Sequence, residues 1–179
     1  IYMGNFWTVK VAGVSGSGKT TLLSMIGSIK DLDCRTITYS ELFRQYQEKA
    51  LADFAMYEIL DNTNGLVLID EHLEFENPNR ATNYTNERTK ALILLDPPLE
   101  HLLKRLKADK KKKRFTELAS LQLDLKRSRN EAYRLSEQLE IPLLICSNLE
   151  GEVEKTVSRA VIFIQSINKV KARHEISQI

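Results

Sequence analysis

The eight residues Gly13-Val14-Ser15-Gly16-Ser17-Gly18-Lys19-Thr20 constrain the fold of this chain more than any other feature. Three glycines followed by a lysine and a hydroxyl fit the pattern G-x-x-x-x-G-K-[ST]. The segment joins two elements of different period. Ahead of it, Phe6–Val14 reads as a strand, with Trp7, Val9 and Val11 opposed to Thr8, Lys10 and Ala12. Beyond it, Leu22, Leu23, Ile26 and Ile29 share one face of a helix that continues to about Ile29. A chance glycine-rich turn is the bland alternative, and the strand before it and helix after it argue against that.

The pattern has a direct chemical meaning. Glycines let the backbone turn tightly, so that successive N–H groups point inward, and a helix N-terminus adds partial positive charge. Such a turn cradles phosphate oxygens. Lys19 would reach the outer phosphates of ATP, and the Thr20 hydroxyl would ligate Mg2+. Gly13, Ser15, Gly16, Ser17, Gly18, Lys19, Thr20 and Thr21 are the candidate nucleotide contacts.

The rest of the chain alternates between strand-length apolar runs and helical periods. Arg35–Tyr39 reads as a second strand. Ser40 then caps a helix over about Glu41–Leu60, with Leu42, Tyr46, Ala50, Phe54 and Tyr57 as its apolar stripe. Leu66–Ile69 and Ala91–Leu95 are almost wholly apolar, as in strands covered on both faces. The polar stretch between them, Leu73–Thr89, reads as a long loop. A helix starts near Leu99. Another spans about Thr116–Leu139 on the stripe Leu118, Leu121, Leu125, Ala132, Leu135 and Leu139. Leu143–Cys146 is a fifth strand, and Val153, Val157, Val161, Ile164 and Ile167 mark a last helix, with Val170–Ile179 expected to fray. This alternation predicts an α/β fold: a five-stranded parallel sheet with helices on both faces, in a single domain over 1–179.

Composition narrows the class. Hydrophobic residues are 42% and charged residues 28%, which suits a chain that packs a core. The longest strictly apolar run is about five residues, far short of the ~20 that span a bilayer. No stretch near residue 1 combines a basic end, an apolar block and a small-residue cleavage site. Cys34 and Cys146 are too isolated for a cysteine metal cluster. The expectation is a cytoplasmic protein without membrane segments.

Leu66-Val67-Leu68-Ile69-Asp70 puts a carboxylate at the C-terminal end of a buried strand, the edge at which parallel sheets bind ligands. Asp70 is thus the candidate Mg2+ residue beside Thr20. Glu71 follows it as in ATPases whose glutamate activates water, and His72 is a further candidate for bonding a phosphate. Asp96, before Pro97-Pro98, reads as a turn residue.

Charge is distributed unevenly. The net charge is +2, yet residues 101–134 hold 12 Lys/Arg against 4 Asp/Glu. Phosphoryl transfer has a loose, highly anionic transition state, so catalysis needs positioned cations. Arg105, Arg114, Arg127 and Arg129 flank a helix–turn–helix excursion between strands four and five, and 104–130 is a candidate basic lid. A nucleic-acid backbone is a competing ligand for the lysine run. Few aromatics interleave that run, so stacked single-strand binding is not expected.

The run Gly-Val-Ser-Gly-Ser-Gly-Lys-Thr-Thr, the segment Leu-Ile-Asp-Glu-His and the pattern Lys-Arg-Leu…Arg114…Ser-Arg129 resemble archaeal-type adenylate kinases across most of the chain. The resemblance implies a P-loop kinase core, an acceptor-binding segment over 40–64 and an arginine-bearing lid. It implies ATP at Gly13, Gly16, Gly18, Lys19 and Thr20, with Asn148 near the adenine and Arg105, Arg114 and Arg129 as catalytic cations beside Lys19. Asp70 and His72 match the family's Asp-Thr-His, with Glu71 in place of Thr. The family's arginine-containing stretch for the monophosphate has no counterpart here, and Arg44 or Arg80 would have to replace it. A nucleoside monophosphate is the favoured acceptor by resemblance. A non-nucleotide acceptor, or ATP hydrolysis with Glu71 as base, are the alternatives.

Overall fold

Because the apolar strands are hydrophobic on both faces, they can be buried only inside a layered sheet, and that is where they lie. The computed structural model describes residues 4–70, 85–109 and 117–176, with side chains described as far as 169. In chain order the described elements are β1 (Phe6–Ala12), α1 (Lys19–Gly27), β2 (Cys34–Thr38), α2 (Tyr39–Tyr46), α3 (Lys49–Asp61), β3 (Gly65–Asp70), β4 (Thr89–Leu95), α4 (Leu99–Ala108), α5 (Leu118–Gln138), β5 (Leu143–Cys146) and α6 (Val153–Ile176). The strands form one sheet in the order β2-β3-β1-β4-β5, with every pairing parallel.

Leu22, Leu23 and Ile26 of α1 and Val157, Ala160 and Ile164 of α6 cover one face, against Trp7, Val9 and Val11. On the other face α3 lays Met56 and Leu60 on Val67 and Ile69, and α5 lays Ala132 and Leu135 on Leu92 and Leu94. α4 packs Leu102 and Leu106 on Leu121 and Leu125 of α5, with Val14 beneath them. This contact brings α4 over the glycine-rich turn. Register aligns the strand ends: Val11 faces Asp70, Thr38 faces Asp70, and Leu95 faces Cys146. Every βα connection therefore leaves from a single edge. Among the described residues no helix is long and apolar enough to cross a membrane.

Two expectations need correction. The single helix over 41–60 is two helices, broken at Gln47, whose φ of 54° is left-handed and whose N–H bonds Phe43 O at 2.8 Å. The break rotates the second half, so Ala52, Ala55, Met56 and Leu60 face the core while Phe54 and Tyr46 are exposed. The last helix continues to Ile176 instead of fraying from Val170. All seven residues of β1 are buried, and Lys10 is only 1% exposed. A buried ammonium needs a partner, and Lys10 Nζ donates to Asn86 Oδ1 at 2.6 Å. Thr89 Oγ1 donates to Thr85 O at 2.8 Å, which leaves Thr8 Oγ1 as the donor in its 2.9 Å bond to Thr89 Oγ1. These bonds fix the chain just before β4 onto the central strand. Of the expected loop over 73–89, residues 73–84 lie outside the described residues.

Candidate functional site

At the shared strand edge the glycine-rich turn opens onto a cleft of about 490 Å3. Ser15, Gly16, Gly18, Lys19, Thr20 and Thr21 form its floor, with Asp70 at the end of β3. α1 begins there with no side-chain cap and no acidic residue in its first turn. Its first amides thus face the cleft without competition from a carboxylate, as an anion cradle requires.

Two glycines show why the turn admits no side chain. A Cβ on Gly13 would lie 2.6 Å from Leu95 O and 2.7 Å from Ser17 Oγ, with φ at +143°. On Gly18, at φ +101°, it would lie 2.5 Å from Asn148 Nδ2. Ser17, by contrast, lines no described part of the cleft: its N–H donates to Val14 O at 3.1 Å and its hydroxyl is buried. Lys19 Nζ donates to Gly13 O at 2.7 Å and to Val14 O at 3.2 Å, and stands 3.9 Å from Asp70 Oδ1. The ammonium is thus held at the mouth of the loop, with the Asp70 carboxylate beside it.

The far wall is tied to the loop through one carbonyl. Asn148, only 5% exposed and left-handed at φ 43°, donates from Nδ2 to Ser17 O at 2.6 Å. Arg105 Nη1 donates to the same oxygen at 3.2 Å, and its Nη2 donates to Asn148 O. Both lone pairs of Ser17 O are engaged. α4, the phosphate loop and the β5–α6 connection are locked together, and all three line the cleft. Outside this knot, Lys104 Nζ bonds Glu150 Oε2 at 2.8 Å. That hydrogen bond and the lysine charge hold the Glu150 carboxyl below the ordinary carboxylate range.

The structure sorts the expected site residues. Lys19, Thr20, Asp70, Arg105 and Asn148 come together around one cleft. Arg129 does not join them. Its Nε and Nη2 bond Asp96 Oδ2 at 2.9 and 2.7 Å, and it lines no described part of the cleft. Asp96 is accordingly more than a turn residue, because its N–H also donates to Cys146 O at 2.8 Å. Arg114, Glu71, His72 and Arg80 lie outside the described residues, as does part of the 104–130 segment. Arg44 stands on exposed α2, 3.7 Å from Glu41. Sequence reasoning passed over Tyr39 and Ser40, which line the cleft opposite the loop, and the Tyr39 hydroxyl donates to Asp53 Oδ1. Their place directly after β2, on the binding edge, was the available signal.

No family model and no curated protein sequence matches this chain. Solved structures do. A shikimate kinase from Bacteroides thetaiotaomicron is 14% identical at a TM-score of 0.58, covering 89% of this chain and 98% of its own. The YorR protein of Bacillus subtilis, solved in complex with phosphorylated GDP, is 13% identical at 0.59, covering 88% and 95%. A deoxyadenosine kinase from M. mycoides, with products dCMP and dCDP bound, is 15% identical at 0.56, covering 89% and 100%. The fold is that of the P-loop kinases. None of these three is named an adenylate kinase, so the narrower resemblance drawn from the motifs is not confirmed.

Proposed function

We propose that this protein is an ATP-dependent phosphotransferase acting on a small-molecule acceptor. The observation that carries the reading is the cradle itself: uncapped helix amides, two glycines without room for a side chain, and Lys19 held 3.9 Å from Asp70 at one cleft. The loop amides and Lys19 bind and orient the phosphates, and Arg105 lies where the triphosphate passes toward the β5–α6 connection. The Thr20 hydroxyl and the Asp70 carboxylate suit Mg2+, which takes one or two protein oxygens and completes its shell with water and phosphate. When bound, that ion would neutralise charge on the phosphates.

Two acceptors are in play. The motif resemblance to archaeal-type adenylate kinases favours the phosphate oxygen of a nucleoside monophosphate. The names of the shikimate kinase and the deoxyadenosine kinase point instead to a hydroxyl acceptor. Either supports phosphoryl transfer over simple hydrolysis. The test is calorimetric titration of a non-hydrolysable ATP analogue with Mg2+, followed by transfer assays. Tight binding to the parent and none to Lys19→Ala is the expected result. If both bind the analogue equally, the cradle assignment is wrong. Glu71→Gln separates transfer from hydrolysis, since an ATPase using that base would stop turning over.

A further inference from the structure

β2 and β5 are the two edges of the sheet, with β3, β1 and β4 between them. The cleft runs across their ends, from the residues that follow β2, past Asp70 and the phosphate loop, to the β5–α6 connection. A nucleotide with its phosphates in the loop and its base toward β5 points its last phosphate toward β3 and β2. A group that receives the phosphoryl in line must come from beyond that phosphate. Tyr39 borders the cleft there. Thr38, the last residue of β2, pairs in register with Asp70, so Tyr39 stands next to the carboxylate that lies 3.9 Å from Lys19.

Tyr39 is also held from behind. Its hydroxyl donates to Asp53 Oδ1 of α3, 14 residues on, across the left-handed break at Gln47. Its ring packs against the cluster that contains Ile37, Met56 and Ile69. α2 begins at Tyr39 and buries none of its residues, so the bond to Asp53 and the packing of Tyr39 help to seat this wall of the cleft on the core. The hydroxyl proton goes to Asp53. To a ligand, Tyr39 therefore offers ring carbon and an oxygen that can accept but not donate. An aromatic ring held in this way takes another ring against its face or edge.

We infer that Tyr39 is the wall on which the acceptor lays a ring, and that Asp53 is a positioning residue that fixes the angle of that wall. This rests on the kinase reading above. It does not choose between a phosphate and a hydroxyl as the receiving group; the body that carries either one is cyclic. If the bond served only to join α2 to α3, its loss would lower stability and leave acceptor binding alone. As part of the wall, it sets the acceptor KM and leaves both the donor site and the chemical step unchanged.

The test uses the full chain with ATP, Mg2+ and two sets of acceptors: AMP, CMP, GMP, UMP, adenosine, cytidine, shikimate and glucose against glycerol, choline and ethanolamine. Products are read by phosphorus NMR, and a phosphorylated cyclic compound is expected. Tyr39→Ala should raise the KM of that compound about 30-fold. Tyr39→Phe and Asp53→Ala should each raise it about fivefold, and their combination no further, because both remove one bond. Asp53→Asn still accepts the Tyr39 proton and should stay within about twofold of the parent. In all four single variants kcat and ATP-analogue affinity should hold within about twofold, with thermal melting as the check on folding. Where Tyr39→Ala does not fold, Tyr39→Phe and the two Asp53 variants carry the test. An unchanged KM in Tyr39→Phe and Asp53→Ala overturns the inference and sends the acceptor to the hollow of about 340 Å3 that Gly13, Val14 and Ser15 share with Arg127 and Ser128 of α5. Additive effects in the double variant, an equal loss of ATP-analogue affinity, or transfer to acyclic compounds alone overturn it as well. ATP-analogue binding that needs Lys19, with no compound phosphorylated, overturns the cyclic acceptor and leaves the kinase reading standing. Absence of ATP-analogue binding removes both.

Discussion

At Ser17 two side chains from distant parts of the chain grip one carbonyl, whereas around Arg127 no other described residue holds the side chain at all. The first region would meet the triphosphate, and it does so with backbone: loop amides, a helix start, and glycines that nothing larger can replace. The second offers side chains from one helix face beside the head of the loop. Backbone geometry depends little on which side chains surround it, while a side-chain stripe changes with each substitution.

The sharpest way to break this comparison is at Lys19. Lys19→Ala should lower kcat/KM by about 10³ or more, the size expected when a principal donor to the transferring phosphate is lost. Steady-state transfer rates measure it, and near-parental turnover would place the chemistry elsewhere. Arg127→Ala comes next. It should reduce kcat about 100-fold with little change in ATP-analogue affinity, because the side chain acts beyond the nucleotide.

Asn148→Ala probes the gripped carbonyl. It removes a buried donor to Ser17 O, a loss of about 1–2 kcal/mol, so ATP-analogue affinity should weaken about tenfold. The left-handed backbone of residue 148 predicts that Asn148→Gly loses the same affinity without added strain. Calorimetry distinguishes the two causes. Arg129→Ala should cost about 1 kcal/mol or less of stability, as expected for a half-exposed pair, and should barely alter turnover. A large drop in kcat would restore Arg129 as a catalytic cation and dissolve the contrast with Arg127.

The smallest effect concerns the Lys104–Glu150 latch. Glu150 is held below the ordinary carboxylate value of 4.5. A depressed carboxyl contributes above that value and loses its contribution as pH falls through its own lower one. ATP-analogue affinity should therefore be flat across neutral pH, with any weakening from this pair confined to acid below 4.5. In Glu150→Gln that acid-limb component should vanish.

What was legible in the sequence depended on range. The phosphate loop is local, and eight consecutive residues specify it. The sheet was legible because β3 and β4 are apolar on both faces, which a covered parallel sheet accommodates. The α2–α3 break was not: neither glycine nor proline marks it, and Gln47 takes the left-handed cap position that glycine usually occupies. The buried Lys10 was hidden because its partner, Asn86, is 76 residues away. Arg127 and Arg129 were read together from the sequence, and the structure separates them: Arg129 pairs with Asp96, while Arg127 stands on another helix face. Two residues turn a helix by about 200°, and the apolar stripe through Leu121 and Leu125 was already enough to place Asp124, Arg127 and Ser128 together on another side.

The grip on Ser17 O spans 88 residues to Arg105 and 131 to Asn148. A growing polypeptide displays the whole glycine-rich signature long before it has both donors that set the carbonyl, since the second arrives only after β5 has been made and docked. A chain stalled or cleaved before that strand would carry the motif in full and be unable to shape it. A correctly set loop is in this sense a report that translation and folding have reached the far edge of the sheet.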